Sequence, residues 1–186
     1  MDALTIGVDR AAEVSRAFSD PVAFRRWYDV AVEKVYGYLL GRCGGDAGLA
    51  EELTQQAFLE AIRHWRSFDG RSDSVTWLCT IARNKLTDHY RRLDREERRR
   101  LRLTVREIHV DGHHPDYTGI EDREGVLTAL RSLPTLHRLA LVLRYVDGLS
   151  VREVANALRR SEAATESLIR RAKDNFRKAY GEEFDE

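Results

Sequence analysis

Cysteine is scarce in this chain: Cys43 and Cys79 are the only two among 186 residues. They lie far apart, and neither has a partner at metal-type spacing, so neither a disulfide framework nor a zinc knuckle is signalled. Both read as reduced, structural thiols, because free cysteines behave as small buried hydrophobes. Long apolar runs are absent too. No stretch approaches the ~18 consecutive apolar residues of a membrane span. The opening MDALTIGVDRAAEVSRAFSD lacks the basic start and apolar run of an export signal, so no membrane insertion and a cytoplasmic location are expected. Net charge is also missing: Lys plus Arg and Asp plus Glu number 31 each, and overall charge therefore says nothing for a nucleic-acid partner.

What is present is a folded composition with an uneven charge distribution. Hydrophobic residues make up 42% and charged residues 33%, enough apolar material for a core and too much for a disordered chain. Between Ile81 and Arg106, Arg83, Lys85, Arg91, Arg92, Arg95, Arg98, Arg99, Arg100, Arg102 and Arg106 face only Asp88, Asp94, Glu96 and Glu97. Local charge is what attracts phosphates, so the neutral total conceals a basic stripe.

Hydrophobic spacing predicts helices throughout. Ser19, Asp20 and Pro21 form a start signal, and Phe24, Tyr28, Ala31, Val35 and Leu39 share one face of a first helix to about Leu40. The glycines of GRCGGDAG interrupt it. A second helix starts near Asp46, with Leu53, Ala57, Ala61 and Trp65 inward and Glu51, Glu52, Gln55, Gln56 and Glu60 outward. RSFDGRSDS reads as a loop, after which Ser74 is expected to cap a long helix with Trp77, Leu78, Ile81, Ala82 and Leu86 on its apolar side. Around LTVREIHVDGHHPDYT the pattern dissolves, which places an extended, mobile linker there. The last third restarts with IEDREGVLTALRSLP and TLHRLALVLRYV, turns at Asp147 and Gly148, and opens a short helix with the capping box Ser150 and Glu153. Ser161 caps the longer helix that follows, to about Tyr180. Two helices joined by so tight a turn spell helix-turn-helix.

The second helix of such a pair enters the major groove, which requires an apolar inner face and an outer face of donors and acceptors. Thr165, Ile169, Ala172 and Phe176 supply the first, and Glu162, Glu166, Ser167, Arg170, Arg171 and Lys173 lie elsewhere on the helix. Arginines and lysine there suit phosphates or guanine edges, and Glu166 suits a cytosine amino group. In the first part, basic residues share a helix with Trp77 and Tyr90, a combination that holds backbone and stacks on unpaired bases. The plainer reading of both is a solvated charged face beside core aromatics.

Two tracts add a resemblance. GLAEELTQQAFLEAIRHWRSFDGRSDSVTWLCTIARNKLTDHYRR resembles the second conserved region of the extracytoplasmic-function (ECF) sigma factors of the sigma-70 family, and ALRSLPTLHRLALVLRYVDGLSVREVANALRRSEAATESLIRRAKDNFRK resembles their fourth. Order and spacing both agree. The resemblance implies an all-α fold of two small helical domains joined by a flexible linker, the C-terminal one a helix-turn-helix. The expected divisions are an N-terminal extension at 1–18, region 2 at 19–102, the linker at 103–119 and region 4 at 120–182.

It implies a function as well. The first domain is expected to bind core RNA polymerase and melt the −10 element of promoter DNA, and the second to dock on the polymerase flap and read the −35 element. On this likeness Glu51, Glu52, Gln55, Gln56 and Phe58 form the polymerase-binding face on the outward side of the second helix. Phe68, Arg71, Arg83, Asn84, Lys85, Asp88, Arg91 and Arg92 fall to the −10 element, with Asn84 reading an extruded base. Arg152, Ala164, Glu166, Ser167, Arg170, Arg171 and Lys173 fall to the −35 element. An anti-sigma factor that occludes the polymerase-binding surfaces is an expected partner. The chain departs from the family pattern at Arg159 and Arg160, where a glycine and an apolar residue are usual, and at Glu166, where a base is common. Glu52 and Gln56 stand where an aspartate and a glutamate are common.

Other readings fit less well. His109, His113, His114 and Asp116 cluster in the linker, but no cysteine supports a metal site and none is expected. No arrangement of nucleophile, base and orienting group is evident, so neither catalysis nor a cofactor is expected. A helix-turn-helix regulator acting on duplex DNA alone has no need of the acidic-amide helix and the basic, aromatic helix in that order. A sigma-like chain turned regulatory partner is a further alternative, prompted by the unusual turn.

Overall fold

The computed structural model describes residues 10–12, 14–16, 18–103 and 123–181, and among these every regular element is helical. Packing divides the chain into two units, Met1–Leu86 and Thr87–Glu186. Apart from Leu103, the expected linker lies outside the described residues, as do His109, His113, His114 and Asp116.

In the first unit, the Asp20 carboxylate accepts from the backbone N–H groups of Val22 and Ala23 at 3.2 Å each, and Pro21 opens helix α1, Pro21–Arg42. A proline costs nothing at that position, where its missing N–H would have no intrahelical partner. Ala31, Val35 and Leu39 are fully buried along α1. The turn to α2, Ala47–His64, needs left-handed backbone at Gly44 and Gly45, whose φ values are 69° and 78°. Asp46 caps α2 by accepting from the Leu49 N–H at 3.0 Å. Ala50, Leu53, Ala57 and Ala61 of α2 are fully buried, a largely small-residue stripe packed against α1.

Two departures from expectation concern the ends of this unit. Trp65 is only half-buried and opens a short 3-10 turn, Trp65–Ser67; its ring stacks on Phe18 at 5.8 Å with 6° between the planes. Residues 10–12, 14–16 and 18–19 are helical, and buried Val14 together with Phe18, which also meets Phe24 and Trp27, ties this leading segment to the unit. The long helix α3, Ser74–Leu103, is capped by Asp73 and not by Ser74. Asp73 accepts from the N–H groups of Val75 and Thr76 at 3.0 Å each and from the Thr76 hydroxyl, and these bonds hold its carboxyl below the ordinary aspartate range. Ser74 instead accepts from the Trp27 indole N–H at 3.0 Å, pinning the start of α3 to α1.

The second unit contains α4, Arg123–Ser132, α5, Thr135–Leu141, α6, Val151–Leu158, and α7, Glu162–Tyr180. Pro134 separates α4 from α5, since the residue before a proline is pushed out of helical geometry. The run expected as one helix to Val146 widens after Leu141 into a π-helical turn, Val142–Val146. It is closed by the Asp147 N–H donating to the Val142 carbonyl at 2.9 Å, and the Arg144 guanidinium donates to the Leu149 carbonyl at 2.7 Å. Leu139, Leu143, Val154, Thr165 and Ala172 are fully buried where α5, α6 and α7 meet.

Candidate nucleic-acid interface and docking face

On α2, Glu51, Glu52 and Gln55 are exposed and Gln56 is half-exposed, as the sequence pattern predicts. Pairs four residues apart brace this face: the Gln56 amide donates to Glu52 at 2.9 Å and the Gln55 amide to Glu51 at 3.5 Å. Phe58, expected to face outward with them, is instead buried. It is 5% exposed, with its ring 4.8 Å from Tyr28 and 5.6 Å from Trp27, so it supports the polar face from below. The face continues into two apolar residues that sequence reasoning missed, Leu59 and Ile62, exposed by 54% and 45%. Their signal was legible, since both follow Gln55 on the polar side of the helical spacing.

The basic residues of α3 are sorted by their partners. Asn84 and Arg92 are exposed, and Arg83 is half-buried. Lys85 is paired with Glu60 at 2.9 Å, and Glu60 also meets His64 at 3.1 Å, so Glu60 is not the open acid of the expected outward face. Arg91 donates to Asp88 at 2.9 Å and is 13% exposed, while Asp88 is 70% exposed. In the loop before α3, Arg71 is open to solvent beside Asp69. Phe68 does not stand out as a ring for a base: it is 7% exposed and packs on Trp77 at 5.2 Å.

The helix-turn-helix forms as expected. Ser150 and Glu153 complete a reciprocal capping box, with the Glu153 carboxylate accepting the Ser150 N–H at 2.8 Å. Ser161 caps α7 by accepting from the Ala164 N–H at 3.3 Å. Between them Arg159 adopts the left-handed conformation, φ 53° and ψ 51°, which glycine adopts more readily. Thr165, Leu168, Ile169 and Ala172 are buried along α7 and Phe176 is half-buried; Leu168 is the one inward residue the sequence reading left out. Glu166 and Arg170 are exposed, Ala164 and Ser167 half-buried, and Arg171 donates to the Ser167 carbonyl at 3.3 Å. Arg152 is exposed on α6. Lys173 sits on the flank of α7 with its ammonium 6.0 Å from the Tyr145 ring, beside an apolar groove of about 320 Å³ lined by Val126, Leu130, Tyr145, Val146 and Phe176. On the opposite flank the Asn175 amide and the His137 ring lie 3.0 Å apart, and burial lowers the pKa of that histidine, helped by the charge of Arg171.

The family models Sigma-70 region 2 and Sigma-70, region 4 match this chain over residues 27–96 and 123–175, in that order. The ECF RNA polymerase sigma factor SigK of Mycolicibacterium vanbaalenii is 31% identical over 165 residues, which cover 87% of this chain and 84% of SigK. The chain belongs to the ECF sigma factors of the sigma-70 family. The ECF sigma factor BldN of Streptomyces coelicolor is 37% identical over 158 residues, or 81% of the chain. The matched region spans 57% of BldN and 37% of a Rhizobium meliloti protein, R00370, to which the chain is 34% identical. Among solved structures, the sigma factor RpoE of Bartonella quintana, crystallised with the anti-sigma factor NepR, aligns with a TM-score of 0.53 at 21% identity. That alignment covers 86% of this chain and 98% of RpoE, a likeness of fold. Within the sigma-70 frame, region 2 covers α2 with its polar face and most of α3, and region 4 covers the helix-turn-helix. No helix among the described residues is long and apolar enough to cross a membrane.

Proposed function

We propose that this ECF sigma factor binds core RNA polymerase and directs promoter-specific initiation, reading the −35 element with α7 and opening the −10 element with α3. The single observation that carries the reading is the presence of both sigma-70 regions, in order, in one chain. Exposure supports the division of labour. Glu51, Glu52, Gln55 and Gln56 give core polymerase a polar docking strip, Asn84 is open to an unstacked base, and Arg170 and Glu166 are open to a major groove. Arg71, Arg83, Lys85, Asp88, Arg91 and Arg92 flank Asn84 as backbone-holding and charge-balancing groups; Arg152, Ala164, Ser167, Arg171 and Lys173 flank Arg170. The chain contributes binding and strand separation, and polymerase does the chemistry. An anti-sigma factor that covers the polymerase-docking strip is the regulatory partner this reading implies, and the cytoplasm is its place of action.

Run-off transcription with purified core polymerase tests the reading. Specific initiation that depends on this chain supports it. Duplex binding by the chain alone, with no initiation on any template carrying the bound sequence, would replace it with a plain helix-turn-helix regulator.

A further inference from the structure

The apolar groove beside Lys173 lies wholly within the second unit. Val126 and Leu130 of α4, Tyr145 and Val146 of the π-helical turn, and Phe176 of α7 line it, and Lys173 and Arg177 make its rim basic. Tyr145 and Val146 are 57% and 53% exposed. Large apolar side chains left in water together, around a groove of about 320 Å³, mark a surface that something covers. The sequence places a matching segment next to it. α7 ends at Tyr180, and Gly181 takes left-handed backbone, φ 80° and ψ 11°, with its N–H donating to the Arg177 carbonyl at 3.1 Å. That geometry stops the helix and turns the chain aside. Glu182, Glu183, Phe184, Asp185 and Glu186 follow; they lie outside the described residues and combine four carboxylates with one ring. Carboxylates just past a helix C-terminus meet the negative end of its dipole, an unfavourable place unless cations offset it. The end of α7 supplies them: Arg170, Arg171, Lys173, Arg177 and Lys178 stand against Asp174. Phe184 is three residues past Gly181, roughly 10 Å of extended chain, whereas Phe176 lies only about 7.5 Å back along the helix axis.

We infer that residues 182–186 fold back along α7 and seat the Phe184 ring in this groove, with Lys173 and Arg177 holding the carboxylates on either side of it. The ring covers apolar surface otherwise left in water, and the carboxylates stay at the wet rim. So short a tether gives the ring an effective concentration in the millimolar range, and a weak contact is enough to fill the groove. Any other apolar segment has to displace it, which makes the tail a built-in competitor for this face. The inference concerns the groove and the tail alone and does not depend on the function proposed above.

Methyl NMR of the full chain reads the contact directly. Nuclear Overhauser effects are expected from the Phe184 ring to the methyl groups of Val126, Leu130 and Val146, unchanged on ten-fold dilution. A sample mixed from labelled and unlabelled chains identifies the other occupants: effects that arise between chains assign the groove to a second copy, effects from Tyr117 assign it to the segment before α4, and either result overturns the inference. So does the absence of any effect from Phe184. Binding of anilinonaphthalene sulfonate, an apolar anion suited to an apolar groove with a basic rim, gives an independent measure. Ending the chain at Gly181 should tighten dye binding roughly five-fold, because a tethered competitor is gone. That variant also removes four negative charges that repel the dye, so Phe184→Ser, which leaves the charge intact and touches no described residue, is the deciding comparison. It should tighten binding nearly as much. Dye affinity that rises on truncation but not in Phe184→Ser shows charge repulsion without docking and overturns the inference.

Discussion

Lys85 reaches from α3 to Glu60 on α2, Nζ to Oε2 at 2.9 Å, with the two side chains 28% and 30% exposed. The bond makes Lys85 a strut of the first unit, whatever it does for DNA. It also holds the Glu60 carboxyl below its ordinary 4.5, first through the hydrogen bond and then through the lysine charge. A carboxyl whose pKa falls on folding stabilises the fold in full above its unfolded pKa, and that contribution disappears as pH falls through the lower folded value. Glu60→Gln should therefore cost about 0.5–1 kcal/mol at neutral pH, the range of a partly exposed pair. Urea titrations should show the gap between wild type and variant closing as pH drops below 4.5.

Phe58 and Gln55 should part company although both lie on the helix assigned to polymerase. Phe58→Ala empties a buried ring site against Tyr28 and Trp27 and is expected to cost ~3–5 kcal/mol of stability. Gln55→Ala touches an exposed side chain and should leave the melting temperature within about a degree, while core affinity falls. Denaturation and core-binding assays on the same two variants check this. A Phe58→Ala chain as stable as wild type would return that ring to the docking face.

Arg159 occupies left-handed backbone that a side chain with a Cβ adopts at a cost. Its N–H still donates to the Ala155 and Asn156 carbonyls, so the turn itself is well made. Glycine at this position should keep those bonds and remove the strain, raising stability by about 1 kcal/mol. For a unit of this size that is a rise of roughly 4–8 °C in the melting temperature. A β-branched Arg159→Val should move it the other way.

Helix positions were legible from the sequence because caps and spacing are local: Ser150 and Ser161 each cap the helix expected of them, and Asp46 caps the helix expected to start near it. Asp73 and Ser74 show where local rules run out. Both residue types can cap, and the choice was made at a distance by Trp27, whose indole N–H claims the serine hydroxyl. The π-helical turn after Leu141 has the same origin, since nothing in the apolar run distinguishes it from a continued α-helix. For the candidate site, exposure on α7 followed from period alone. Phe58 and Phe68 did not, because an aromatic at the edge of a polar stripe is placed by the rings that meet it from other elements, Tyr28 and Trp27 in one case and Trp77 in the other.

Asn84 and Arg170 belong to different steps on the proposed reading, and their variants should fail differently. Asn84 is exposed and uncharged, so Asn84→Ala should leave duplex affinity, its salt dependence and core binding nearly intact. What it removes is a pair of hydrogen-bonding groups for an unstacked base, so open-complex formation, read by permanganate reactivity of unpaired thymines, should fall about ten-fold. Arg170 is exposed on the outward face of α7. If it grips a guanine edge, Arg170→Ala costs roughly 1–3 kcal/mol at one base position and relaxes specificity there; if it meets a phosphate, affinity falls for all sequences and the salt slope drops by about one. Competition with single-base variants of the bound upstream sequence at two salt concentrations tells these apart. Equal losses of core affinity in both variants, with neither step selectively affected, would refute the two assignments together.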